Sequence, residues 1–417
     1  MPGAHHFATS VLARLDELGR ISEHPDHLTR TTYTPEHRRG NDLVLGWMRD
    51  AGLEAFVDGI GNVVGRLPGT RADAPWLMLG SHLDTVRNAG KYDGMLGVVS
   101  AIACVEELRR RNLALPFGIE IIGFTNEEGT RFGVAMTGSR AVAGTFDPAC
   151  LEMKDRDGIT LGAALREFGL DPAGIAASAS RPGRIAAFME LHIEQGPILE
   201  QQGLALGVVT AISGARRFRV EVKGLAGHAG TVPMGARQDA LLMAAEAALF
   251  IERRCAQAPT LVGTVGQMEA LPGAVNVIPG LARFSMDIRA GEDGLRDRAV
   301  EDVLAELDAI AHRRSLTHTV TQAYESKAIH CDPRLMNAVE AAILAQGVPT
   351  MRLPSGAGHD AMTIAPLCPV GMFFMRCTRG ISHNPLEAVL PDDVELATRA
   401  LFDFVRNFSP ADFAGGF

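Results

Sequence analysis

Three short apolar runs, each ending in acidic or imidazole side chains, constrain this chain more than any other feature. Residues 76–80 read WLMLG and run into Ser81-His82-Leu83-Asp84-Thr85. Residues 118–125 read GIEIIGFT and run into Asn126-Glu127-Glu128-Gly129. Residues 185–191 read IAAFMEL and run into His192-Ile193-Glu194-Gln195-Gly196-Pro197. Near-continuous apolar runs of this length read as strands buried on both faces. The amphipathic stretch 95–111 after the first run predicts a helix, and the alternation is that of an α/β domain. Ligands of open α/β sheets gather where such strands end.

The texture changes near Gly214. Phe218, Val220 and Val222 alternate with Arg217, Arg219 and Glu221, the period of a half-exposed strand. Helices are predicted over 236–254 and 295–313, with strands over 260–268, 281–289 and 317–324. From about 329 the α/β rhythm returns, with a helix from Pro333, a strand over 370–375 and a closing helix from Asp393. The expected architecture is an α/β catalytic domain formed by residues 1–213 and 329–417, interrupted by an α+β unit over 214–328.

Composition removes several classes. With 417 residues and 47% hydrophobic content, the chain can bury a large core. A net charge of −9 argues against nucleic acid as the main partner, because phosphate binding needs a concentrated basic surface. No apolar run reaches membrane-spanning length, since Glu246 interrupts the richest stretch, 240–251. The N-terminus has His5 and His6, then Asp16 and Glu17, and no basic-then-apolar signal pattern. Six cysteines lie scattered without a C-x-x-C pair. A reducing cytoplasm is the expected location.

The strand-end residues suggest a metal site. His82 and Asp84, two apart on extended chain, point to the same side, where a carboxylate can orient an imidazole toward a cation. Glu127 and Glu128 can divide labour, one binding metal while the other stays free as a base. Asp93, in Tyr92-Asp93-Gly94, and His383, in Ser382-His383-Asn384-Pro385, complete a set of oxygen and nitrogen donors. Two ions each need about four ligands, which a shared carboxylate and hydroxide would complete. His82, Asp93 and His383 can serve one ion or be split between two. The donors suit Zn²⁺, Mn²⁺, Co²⁺ or Ni²⁺.

Other chemistries lack their parts. Gly356-x-Gly358-x-x-Ala361 has a nominal dinucleotide spacing but no convincing preceding strand. There is no G-x-S-x-G and no H-E-x-x-H.

Taken in order, SHLDTV, YDG, NEEG, LHIEQG and SHNP resemble the di-metal aminoacylase and carboxypeptidase superfamily. With GHAGTVPM (227–234), they resemble its branch of N-carbamoyl-L-amino-acid hydrolases, β-ureidopropionases and allantoate amidohydrolases. The resemblance implies two divalent ions per subunit, held by His82, Asp93, Glu128, His192 and His383, with Asp93 bridging. It implies Glu127 as general base, Asp84 as orienter of His82, and His228 as stabiliser of the oxyanion. Asn276 and Arg289 would clamp a substrate carboxylate, and Gln195 and Gly358 would also contact substrate. A homodimer is implied, with the inserted unit as its dimerisation or lid domain.

For the substrate, Arg216-Arg217 opens the first strand of the inserted unit, and a guanidinium there suits a second ureido group. Allantoate is therefore the expected small-molecule substrate, with Arg217 as the extra contact and Arg216 its alternative. An N-carbamoyl-L-amino-acid hydrolase or β-ureidopropionase is the runner-up. Dipeptidase or deacylase activity and a non-catalytic metal-binding role are further readings, and a free Glu127 beside Glu128 argues against the last.

Overall fold

The computed structural model describes residues 6–181 and 183–413. They pack as two compact units, one running up to Thr210 and including Cys331–Leu353 and His359 onward. The other comprises Ala211–His330 and Pro354–Gly358. The short 354–358 segment, expected with the catalytic domain, thus packs with the inserted unit.

The larger unit is built on a mixed sheet. Its strands Trp76–His82, Gly118–Phe124, Ile185–Ile193 and Val370–Met375 are mutually parallel neighbours, in the order 118–124, 76–82, 185–193, 370–375. Antiparallel strands Glu54–Val57 and Val63–Leu67 extend one side, and Leu206–Ile212 the other. All nine residues of 185–193 and all seven of 118–124 are buried, which is why neither shows alternation in the sequence. Glu120 is tolerated within that run because Arg66 Nε donates to its carboxylate at 2.7 Å. The helix Met95–Arg110 packs on the sheet beneath the helices His6–Gly19 and Pro391–Asn407. Its first eleven residues are all buried, so it serves as the domain's central core element.

The second unit holds a five-stranded antiparallel sheet. The strands Met268–Leu271, Leu281–Ala290, Gly214–Lys223 and Thr317–Ser326 lie in that order, and Leu261–Thr264 also pairs with 281–290. Helices Ala240–Cys255 and Asp293–Arg314 cover one face, burying Phe218, Val220, Phe284, Met286 and Ile288. Alternation leaves Arg217, Arg219, Asp287 and Arg289 on the other face. The strand expected over 260–268 is two short strands, separated at Val265-Gly266-Gln267. The helix expected from residue 236 begins at Ala240 because Asp239 caps it, accepting the N–H groups of Leu241 and Leu242. A separate ribbon pairs Gly227–His228 with Val277–Ile278.

Candidate metal centre

The parallel strands deliver their polar residues to one sheet edge. His82 and His192 end or nearly end adjacent strands, and their rings lie 5.9 Å apart. Asp93 opens the helix that follows, in a turn whose next residue must be glycine. Gly94 has φ +71°, and a Cβ there would lie 2.4 Å from the His82 ring. Three of the other site loops also pass through the left-handed region, at Asn126 (φ 58°), Gln195 (φ 56°) and His383 (φ 54°). Such backbone collects where side chains must be aimed rather than merely packed.

Asp93 is the centre of the arrangement. Its Oδ1 lies 3.1 Å from His192 Nε2 and 3.4 Å from His82 Nε2. Its Oδ2 lies 3.1 Å from His383 Nε2, which is in turn 3.5 Å from Glu128 Oε1. Two donor groups, His82-Asp93-His192 and Asp93-Glu128-His383, share the Asp93 carboxylate, and a further group, His82-Glu127-Glu128, lies between them. The sequence left the partition of His82, Asp93 and His383 open; the geometry groups His82 with His192 and His383 with Glu128.

The imidazoles are held in one orientation. His82 Nδ1 meets the backbone carbonyl of Asp84 at 2.9 Å, and His192 Nδ1 that of Ile193 at 2.8 Å, so both Nε2 atoms face Asp93. Here the structure corrects an expectation. The Asp84 carboxylate is not hydrogen-bonded to His82; it accepts the backbone N–H groups of Glu127 (3.0 Å) and Glu128 (3.3 Å). The residue orients the imidazole through its main chain and the acidic turn through its side chain.

Charge explains what the centre can hold. Burial, then the negative charges of Glu128, Asp360 and Asp84, pushes the Glu127 carboxyl well above the usual range, with His82 opposing. Burial, with the charge of Asp93, raises Glu128 to about 7. Asp93 hydrogen bonding raises His383 to about 9. Burial would depress His82, yet its hydrogen bond to Asp93 and the nearby glutamates carry it well above the imidazole range. Acids that resist ionising beside imidazoles that attract protons mark a pocket short of positive charge. Hard oxygen and imidazole donors in two groups around one shared carboxylate fit a pair of divalent cations.

The remaining expected residues fall into separate clusters. Gln195 donates from Nε2 to Asp93 Oδ2 at 2.8 Å, so it lies against the shared carboxylate. In the second unit, His228 and Asn276 come together on the ribbon, where Ala229 N–H donates to the Asn276 carbonyl. Arg217 and Arg289 both bond Asp287, and Arg289 Nη1 also donates to the Gly356 carbonyl. Gly358 ends the 354–358 segment of the same unit. Arg216 faces away from Arg217, toward Asp297.

Some supporting residues were missed. Arg30 is fully buried and donates from Nε and Nη2 to the Leu83 carbonyl, fixing the strand end between His82 and Asp84. No local pattern flags an arginine fifty-three residues away. His359, whose part the sequence leaves open, packs edge-on against His192, with ring centroids 4.6 Å apart, and forms a further donor group with it and Glu190. Glu387, four residues past His383, contacts the Asp93 turn. Among the described residues, no helix is long and apolar enough to cross a membrane. All six cysteines are unpaired.

The chain belongs to the peptidase family M20/M25/M40, which matches residues 78–407. It is 40% identical over 393 residues to an N-carbamoyl-L-amino acid amidohydrolase of Geobacillus stearothermophilus, covering 94% of this chain and 96% of that one. It is also 40% identical over 430 residues to an allantoate deiminase of Arabidopsis thaliana, covering 95% and 82%. A solved amidase of the hydantoinase/carbamoylase family from Burkholderia multivorans superposes with a TM-score of 0.90 at 34% identity, covering 96% and 97%.

Proposed function

We propose that the protein hydrolyses the ureido C–N bond of a small carboxylic acid, with allantoate as substrate, releasing ammonia and carbon dioxide. The observation that supports this most is Asp93, whose two carboxylate oxygens face two separate donor groups. His82 and His192 would hold one divalent cation, Glu128 and His383 the other, and Asp93 both. When bound, such ions lower the pKa of water toward neutrality and polarise a carbonyl oxygen.

The protein's own groups do the rest. Glu127, kept basic by burial and outside the two groups that share Asp93, accepts a proton from the attacking water and returns it to the leaving nitrogen. Asp84 holds the turn that presents it. Arg289 and Asn276 bind the substrate carboxylate, the guanidinium using N–H groups that Asp287 and Gly356 leave free. Arg217 takes the second ureido group, Gln195 and Gly358 contact the substrate, and His228 offsets charge on the carbonyl oxygen. The functional form is a homodimer in the cytoplasm, the second unit serving as its dimerisation and lid domain.

Hydrolysis of N-carbamoyl-L-amino acids is the second reading, favoured by the equal 40% identity to an amidohydrolase of that name. The test is to strip the protein of metal, restore Mn²⁺ or Zn²⁺, and measure ammonia from allantoate, N-carbamoyl amino acids and β-ureidopropionate. Allantoate turnover exceeding the others is expected. Cleavage of dipeptides with no ammonia from any ureide would refute the proposal.

A further inference from the structure

Glu387 takes no part in the chemistry described above, although it is buried at the centre. Its Oε1 accepts the backbone N–H groups of Tyr92 at 2.8 Å and Asp93 at 3.2 Å. Its Oε2 lies 2.8 Å from the Ser382 hydroxyl, and that hydroxyl lies 2.8 Å from Asp93 Oδ2. One carboxylate thus grips the main chain of the Asp93 turn directly and its outer oxygen through Ser382. It does so from the loop that carries His383. Gly90 makes room for it, since a Cβ there would lie 2.2 Å from the Glu387 carboxyl carbon.

We propose that Glu387 is a positioning residue for the shared carboxylate, setting the Asp93 turn against the His383 loop so that both face one cation. This rests on the two-cation reading above. The physical argument is one of rigidity. His82 and His192 stand on adjacent strands paired as far as Leu79 and Met189, with Arg30 holding the Leu83 carbonyl just beyond, so the sheet sets their separation. His383 stands in a loop with positive φ, and no strand pairing relates it to Asp93. The Glu387 and Ser382 contacts supply that relation. Removing them therefore weakens the ion shared by Asp93, Glu128 and His383, and spares the one shared by Asp93, His82 and His192.

The test is a calorimetric titration of Co²⁺ into metal-free protein, with the visible Co²⁺ spectrum followed in parallel. Wild type should take two ions per chain. Glu387→Ala should lose about 10–100-fold in one of the two affinities, the range for groups supporting metal ligands, and keep the other. Glu387→Gln should recover most of that loss, because its amide oxygen accepts both N–H groups and its amide N–H reaches Ser382. Two wild-type affinities in Glu387→Ala, or equal losses in the Ala and Gln variants, would overturn the inference. So would a lowered melting temperature of the metal-free variant with unchanged ion affinities, which would mark a role in folding alone. Should Glu387→Ala fail to fold, Gly90→Ala displaces the same carboxylate and must show the same selective loss, and wild-type affinities there refute the proposal. Fewer than two ions on wild type would instead bring down the two-cation reading, and this inference with it.

Discussion

Asp84 accepts the Glu127 backbone N–H at 3.0 Å, so the residue two positions after the first imidazole also holds the proposed base. In Asp84→Asn one carboxylate oxygen becomes an NH₂ group, which cannot accept the second N–H, that of Glu128. Activity should fall about 10–100-fold while both ions stay bound. Steady-state kinetics with elemental analysis would check this, and loss of the ions with the activity would show that Asp84 acts on the ligands instead.

Glu127→Gln keeps the shape of the side chain and removes the proton acceptor. Turnover should drop by about two to four orders of magnitude, the usual contribution of a positioned base, with metal content intact. Near-normal turnover in this variant would eliminate Glu127 as the base.

Chelation should abolish activity and lower thermal stability together. An ion present at a hundred times its dissociation constant stabilises the folded state by about 2.7 kcal/mol. Differential scanning calorimetry of metal-free and Mn²⁺-restored protein should show the melting temperature rising with ion concentration. A melting temperature indifferent to divalent ions would count against a centre built for them.

Arg217 and Arg289 share Asp287, one through Nε alone and the other through Nε and Nη2. Arg289→Lys loses the planar fork and should raise KM for every carboxylate substrate. Arg217→Ala should raise KM for allantoate and leave N-carbamoyl amino acids unaffected. Equal effects of Arg217→Ala on both substrates would remove its proposed part in selectivity.

His37 provides a pH-dependent contribution remote from the metal centre. Burial, reinforced by Arg30 and Arg38, lowers its pKa from 6.5 to about 3, and its Nδ1 accepts the Tyr33 N–H. The unfolded chain therefore binds the proton more readily than the native protein. The stabilising contribution is complete above pH 6.5 and is lost as pH falls toward 3, at up to about 1.4 kcal/mol per pH unit. His37→Asn keeps an acceptor for Tyr33 and does not titrate. Urea denaturation between pH 7 and pH 5 should show a shallower dependence in the variant, and parallel curves would contradict the assignment.

The sequence by itself determined the parallel strands at the centre and the chemistry at their ends. Continuous apolar runs of seven or eight residues read as buried strands, and a strand buried on both faces delivers whatever follows it to the sheet edge. That sufficed to name His82, Glu127, Glu128 and His192 as neighbours before any distance was known. The antiparallel strands 54–57 and 63–67 were not legible, because they are short and partly exposed, and pairing rather than composition makes them strands.

Only the tertiary structure decided how the donors divide around Asp93, and that Asp84 serves His82 through its carbonyl and the acidic turn through its carboxylate. It alone brought Arg30 and Glu387 to the centre and turned Arg217 toward Asp287 while turning Arg216 away. The reason is physical: local pattern reports which groups a segment must bury or expose, whereas hydrogen bonds between loops distant in sequence depend on where the folded strands happen to end.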